Sequence, residues 1–254
     1  MGPNFSFQFA LSKEPDQFLD PLGISSLKCW LDPNRGVSDT AAAVDSWVDQ
    51  SGNGNNATGV TSNRPTLIPS SSGIAGNRII TFTAASSHYL SVNGLSSIFT
   101  GSDAPWSVIL VFKKTGNTGT QVMFCASRSS STTPVHELYT NAESNYSYFR
   151  RPDSGGSATA NGTKTPDLLA HVISWVFTGT TISSWIDGTI DLNASACDVT
   201  ALTTDRVSIG VWNSTSLLQP WNGSVGDVFV FNKALSDIER KTIERFCKGK
   251  YGIA

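Results

Sequence analysis

Charge is scarce in this sequence: Lys, Arg, Asp and Glu make up 15% of its 254 residues, with a formal net charge of -2. Such a surface offers no electrostatic footprint for nucleic acid or for an anionic membrane, which excludes both as non-specific partners. No apolar run approaches the roughly 18 residues that a membrane-spanning helix needs. The opening segment, from Met1 to Leu11, lacks the basic end, apolar core and cleavage site of a secretory leader, so synthesis without a signal peptide is expected. Cys29, Cys125, Cys197 and Cys247 are far apart, with no CxxC and no Cys/His cluster to support a zinc site. Cys29 and Cys125 lie inside apolar strand patterns and read as buried thiols. Glutamate is confined to Glu14, Glu137, Glu143, Glu239 and Glu244. None belongs to a Glu-x-Asp-x-Glu strand, the pattern that would set a glycosidase's two carboxylates about 5 to 5.5 Å apart. Gly-x-Ser-x-Gly, P-loop and His-Glu-x-x-His motifs are absent too. The expectation is a chain that neither hydrolyses nor eliminates polysaccharides, and so is not an enzyme.

What the sequence does have is β pattern. The stretch HVISWVFTGTTISSWIDGTIDLN, His171 to Asn193, holds two runs rich in Val, Ile and Trp on either side of Thr178-Gly-Thr-Thr181. Asp187-Gly188 favours a two-residue hairpin turn, so a third strand from Thr189 folds back to complete a meander. Further strands are expected at Leu27 to Leu31, Arg78 to Thr83, His88 to Val92, Ser107 to Lys113, Gln121 to Ser127, Val135 to Thr140, Tyr146 to Arg151, Arg206 to Trp212 and Gly223 to Asn232. About a dozen short strands suit two stacked antiparallel sheets. Ile80, Phe82, Ile109, Val111, Val172, Val176, Ile186, Val207, Val228 and Val230 are the expected core. One helix is expected: Ser236-Asp-Ile-Glu239 is a capping box, Lys248 and Gly249 suit the helix end, and Ile238, Ile243 and Phe246 suit its inner face.

Three stretches carry a resemblance. They are the meander, with His171-Val at its start and Ile186-Asp-Gly188 at its second turn; Trp47-Val-Asp-Gln-Ser-Gly-Asn-Gly-Asn55 followed by Arg64-Pro65; and Asn222 to Gly252, from Gly223-Ser-Val-Gly-Asp227 through Asn232-Lys-Ala-Leu-Ser236 to Lys250-Tyr-Gly252. In order and spacing they resemble the laminin-G-like branch of the concanavalin A-like lectin/glucanase superfamily, over roughly Ser26 to Gly252. The resemblance implies an all-β jelly-roll sandwich of two antiparallel sheets with a short C-terminal helix, and a framework role for His171. It implies no single activity.

Residues 1–25 fall outside that sandwich. Phe5, Phe7 and Phe9 alternate with polar residues, as on a strand that must be covered, so residues 1–25 read either as an arm attaching to a protein partner or as an edge strand of the 26–254 domain. The spacing Asp49-x-Ser-x-Asn-x-Asn resembles alternating calcium ligands, with Asp49 and Asn53 the candidates. No closing Glu follows, and the Gly and Asn residues also serve as plain turn formers, so no cofactor is expected beyond that weak calcium candidate.

Sugars present C–H faces and hydroxyls, so a binding site combines an aromatic platform with amide or guanidinium partners. Strand alternation puts Tyr146, Tyr148 and Arg150 on one face and sets Trp185 opposite Ile182 and Ile186. These four suit either a glycan platform or packing beneath a loop. Trp212 and Trp221, each followed by Asn, form a second candidate rim. The groups a lyase would need, His136, Tyr146, Tyr148 and Arg150, are present, but without the Arg- and Gln-rich strands such an enzyme would show. The expected role is therefore a lectin-like adhesion module that binds a glycan or cell-surface polysaccharide, on a virion surface as a capsid or tail decoration or in another extracellular assembly. A glycoside hydrolase or lyase of the same fold is the alternative.

Overall fold

The meander expected from the sequence is present. Its strands run Ala170–Phe177, Thr181–Ile186 and Thr189–Ala196, and Asp187 takes φ 52° in the Asp-Gly turn. The computed structural model describes residues 20–102, 104–116, 119–141, 145–165, 167–197 and 200–254; the expected attachment residues Phe5, Phe7 and Phe9 lie outside these. In chain order the strands are β1 (Leu27–Leu31), β2 (Val37–Thr40), β3 (Ala43–Trp47), β4 (Ala57–Gly59), β5 (Thr66–Ile68), β6 (Ile79–Phe82), β7 (Leu90–Val92), β8 (Trp106–Lys114), β9 (Gln121–Arg128) and β10 (Ser131–Thr140). They continue with β11 (Tyr146–Arg151), β12 (Ala158–Asn161), the meander strands β13 to β15, β16 (Arg206–Ile209), β17 (Trp212–Asn213), β18 (Leu217–Leu218) and β19 (Gly223–Phe231); helix α1 (Asp237–Tyr251) ends the chain.

The strand ladders are antiparallel and make two layers. One layer is β15-β14-β13-β8-β19, with β1 and β6 sharing the far edge of β19. The other is β12-β11-β10-β9-β16-β7-β4. Strands β3 and β5 join the layers along one side, so the hydrogen bonding is continuous.

Side chains alternate faces along a strand, and this sorts the core. Val108, Leu110 and Phe112 point between the layers, where they join Phe124, Ala126 and Leu138. Ile109, Val111 and Val172 point the other way, beneath α1 with Phe229, Phe231, Ile243 and Cys247. All ten expected core residues are buried, but these three serve the helix interface rather than the space between layers. In β1, a register shift between Leu27 and Cys29 breaks simple alternation. Leu27 therefore shares the helix side with Trp30, not the interior with Cys29 and Leu31.

The capping box forms: Ser236 Oγ accepts from Glu239 N and Glu239 Oε2 accepts from Ser236 N. Ser236→Ala should cost about 1 kcal/mol, lowering a thermal midpoint by about 2 to 4 °C. The helix runs past Gly249 and stops at Gly252, whose φ of 63° suits glycine. Ile238 is 73% exposed, contrary to expectation; the buried stripe is Arg240, Ile243, Glu244, Cys247 and Tyr251. Two of these are charged because they are paired. Arg240 bonds Glu244 at 2.6 and 2.7 Å and lies over the Trp185 ring at 4.0 Å, and Glu244 accepts from Ser174 Oγ at 2.7 Å.

A second buried polar group pins the end of the helix. Asp227 accepts hydrogen bonds from Trp30 Nε1 (2.7 Å), Tyr251 Oη (2.7 Å) and Lys250 Nζ (2.6 Å), and the same ammonium reaches Asp32 at 2.7 Å. Burial pushes the Asp227 carboxyl up, and Lys250 opposes it.

Candidate functional site

The aromatic strip expected to meet a ligand faces inward. Tyr146, Tyr148, Arg150 and Trp221 are all fully buried, which corrects the expectation of an exposed platform. Alternation rightly puts Tyr146, Tyr148 and Arg150 on one face, but that face is the core. Two of the three are held by internal hydrogen bonds: Tyr148 Oη is 2.7 Å from His136 Nδ1, and Arg150 Nη2 donates to the carbonyls of Thr200 (2.5 Å) and Ser102 (3.3 Å). The Tyr146 hydroxyl is buried without a hydrogen-bond partner among the described residues. His136, held neutral by burial with its pKa pushed down to about 3, lies there too, so a lyase base among these groups would have no route to a polymer. Trp185 is on the other layer, beneath Arg240.

His171 is framework, as the resemblance implies. Its Nδ1 meets Asp187 at 2.6 Å and its Nε2 meets Asp167 at 2.9 Å, while Asp187 also accepts from Val172 N. In the candidate calcium loop, the Asp49 carboxylate accepts from the amides of Trp30, Ser51 and Asn55 and from Ser51 Oγ, at 2.8 to 3.0 Å. Asn53 Nδ2 donates to Leu27 O, fastening the loop to β1. Among the described residues no cluster of three or more His, Cys, Asp or Glu could hold a metal.

An open polar cleft lies on the outer face of the second layer. In β7 and β16, Leu90, Val92, Val207 and Ile209 point into the core, which sends Ser91 and Arg206 outward; Tyr89, just before β7, borders the cleft with 7% of its surface exposed. Just past β16 the chain turns at Gly210, with φ 93°, where any side chain would run into the Phe82 ring. It then returns over the sheet as the β17–β18 hairpin. Ser208 Oγ donates to Val211 O (2.7 Å), Ser127 Oγ to Asn213 O, and Arg206 Nη1 to Asn213 Oδ1 (2.8 Å) and Ser214 O (3.0 Å). Between hairpin and β7 lies a cavity of about 370 Å³, lined by Tyr89, Ser91, Asn93, Asp205, Arg206 and Asn213 among others. Burial raises the Tyr89 phenol pKa, with the nearby Arg206 opposing, so the hydroxyl stays protonated.

Of the residues singled out from sequence, Trp212 comes nearest. It precedes Asn213 in the cavity wall, while its ring packs against a small cluster of Val122, Cys125, Val135 and Tyr139. Tyr89 and Asn93 flank β7 and Arg206 opens β16, two segments with no local motif; the Trp212-Asn213 pair was the signal.

Comparison with solved structures bears on the fold. Domain 4 of AbnA, an extracellular GH43 arabinanase from Geobacillus stearothermophilus, solved with arabinotriose, matches with a TM-score of 0.60 at 15% identity, over 84% of this chain and 96% of that one. The binding domain of Paraclostridial Mosquitocidal Protein 1 matches with 0.63 at 10% identity, over 87% of this chain and 52% of that one. Trypanosoma rangeli sialidase, solved with the inhibitor DANA, matches with 0.57 at 10% identity; this chain spans 32% of it. The fold is an all-β sandwich of the jelly-roll kind. At these identities the likeness is one of fold alone. Searches against protein-family models and curated proteins return no match.

Proposed function

We propose that this protein is a non-catalytic, lectin-like module that binds a glycan in the cleft between β7, Arg206 and the β17–β18 hairpin. The observation that carries this reading is the lining of the cleft: one aromatic side chain, Tyr89, beside Ser91, Asn93, Arg206 and Asn213. Tyr89 is 7% exposed, so it offers the cleft its edge rather than a full ring face, and the polar lining supplies both donors and acceptors for sugar hydroxyls. Two of the fold neighbours are a domain solved with arabinotriose and a toxin's binding domain, which fits a binding role. The laminin-G-like motifs suit adhesion, and a module of this kind would serve on a virion or another extracellular surface.

The cleft can be blocked without touching its framework. Among the described residues Ser91 and Asn93 make no side-chain hydrogen bond, and both line the cleft. On a glycan array or by affinity electrophoresis, Ser91→Trp should abolish retention. Asn93→Ala should weaken it up to about tenfold, the worth of one hydrogen bond. Thermal midpoints should stay unchanged. Retention that survives Ser91→Trp would remove this cleft from the account, and release of reducing ends or unsaturated uronates from a polysaccharide panel would overturn the non-catalytic reading.

A further inference from the structure

We infer that the sugar taken by this cleft is acidic, with its carboxylate received by the Arg206 guanidinium and the Tyr89 hydroxyl. The inference rests on the glycan reading above and narrows it. A guanidinium has five N–H donors in a rigid plane. Arg206 commits Nη1 to Asn213 Oδ1 and Ser214 O, two bonds that fix the plane against the hairpin. Its Nε makes an ion-pair contact of 3.9 Å with Asp205 Oδ1, beyond hydrogen-bond reach, and Nη2 has no acceptor among the described residues.

The adjacent carboxylate does not fill that gap. Asp205 lines the same cavity and stands at ion-pair range of Arg206, so it offsets part of that charge. Its hydrogen bonds go to Ser129, Oδ1 accepting from Ser129 N at 2.7 Å and Oδ2 from Ser129 Oγ at 2.6 Å, and it takes none of the Arg206 donors. The arginine side chain is 35% exposed, and it borders the cavity with donors still unused. Tyr89, 7% exposed and with no side-chain hydrogen bond among the described residues, lines the same cavity. Fixed N–H and O–H donors beside one cation complement an acceptor-only anion better than a hydroxyl, because charge-assisted hydrogen bonds are about twice as strong as neutral ones. Uronic and sialic acids both present such a carboxylate.

The test uses the full chain and titration calorimetry with paired probes: trigalacturonate against its methyl ester, and 3′-sialyllactose against lactose. The expected result is binding of at least one acid form roughly 10- to 100-fold tighter than its neutral partner, weakening as NaCl is raised. The pair that shows the difference identifies the source of the carboxylate. Arg206→Gln should erase that difference. Because Arg206 also holds the hairpin, Tyr89→Phe is the second variant; it keeps the ring and should reduce acid binding while leaving neutral binding unchanged. Equal affinity within both pairs, or an acid preference untouched by either variant, overturns the inference and leaves the glycan reading standing. No binding of any glycan on a broad array would remove the glycan reading itself, and this inference with it.

Discussion

Unfolding free energy measured against pH should show a plateau between about pH 4.5 and 6.5, falling away on both sides, and two buried side chains set its edges. Glu137 is 3% exposed, with one carboxyl oxygen lacking a partner, and burial pushes its pKa from 4.5 up to about 8. Its raised pKa contributes stability that is complete below 4.5 and is lost progressively as pH rises through about 8. His136 is the reverse: burial takes its pKa from 6.5 down to about 3, so its contribution is complete above 6.5 and is lost as pH falls through about 3. Between 4.5 and 6.5 the two slopes cancel. Outside that window each approaches about 1.4 kcal/mol per pH unit over about 1.5 units, so each limb is worth about 2 kcal/mol. His171, raised chiefly by its hydrogen bond to Asp187, adds to the alkaline limb, since its contribution disappears as pH rises above 6.5. Tryptophan fluorescence in urea should show that Glu137→Gln flattens the alkaline limb. The double variant His136→Phe with Tyr148→Phe, which leaves no hydroxyl stranded, should flatten the acid limb. A wild-type profile still rising at pH 8, or an alkaline limb unchanged in Glu137→Gln, would contradict this assignment.

Lys250→Met should be among the most damaging single substitutions in the helix. Its ammonium sits 2.6 Å from Asp227 and 2.7 Å from Asp32, carboxylates that are 0% and 3% exposed. Removing the cation leaves two buried carboxylates facing each other, and breaking a buried pair from one side costs about 3 to 5 kcal/mol. For a domain of this size the thermal midpoint should fall by roughly 6 to 20 °C. Acidification distinguishes this cause from lost packing: the variant should recover stability relative to wild type as pH falls, because Asp227, pushed up by burial and no longer opposed by Lys250, can then take up a proton. A midpoint shift of under about 2 °C would mean that the pair is solvated rather than buried.

Strand positions and the helix cap were readable because alternation, Asp-Gly and Ser-x-x-Glu are local signals. What they lack is the sign of a face. Alternation grouped Tyr146, Tyr148 and Arg150 correctly, yet nothing local says that the side carrying an arginine is the interior; that depends on the carbonyls of Thr200 and Ser102, some 50 residues away in the chain. Ile238 misled for the converse reason, since apolarity favoured it for the inner stripe while the partners that let Arg240 and Glu244 go inside, Trp185 and Ser174, belong to distant strands. The cleft was the least legible part. Its lining comes from β7, Asp205-Arg206 and the β17–β18 hairpin, which only the layered topology brings together.

Helix α1 and the cleft occupy opposite outer faces of the sandwich. A chemical handle placed on the helix would therefore leave the cleft facing away from whatever it is fixed to. Ile238→Cys is the natural choice, being exposed and outside every buried contact of the helix. Of the native thiols, Cys29, Cys125 and Cys247 are buried, and Cys197 is held at a pKa of about 11, protonated and unreactive near neutrality. Maleimide coupling at pH 7 would then immobilise every molecule in one orientation, giving a sensor surface whose capacity counts open clefts.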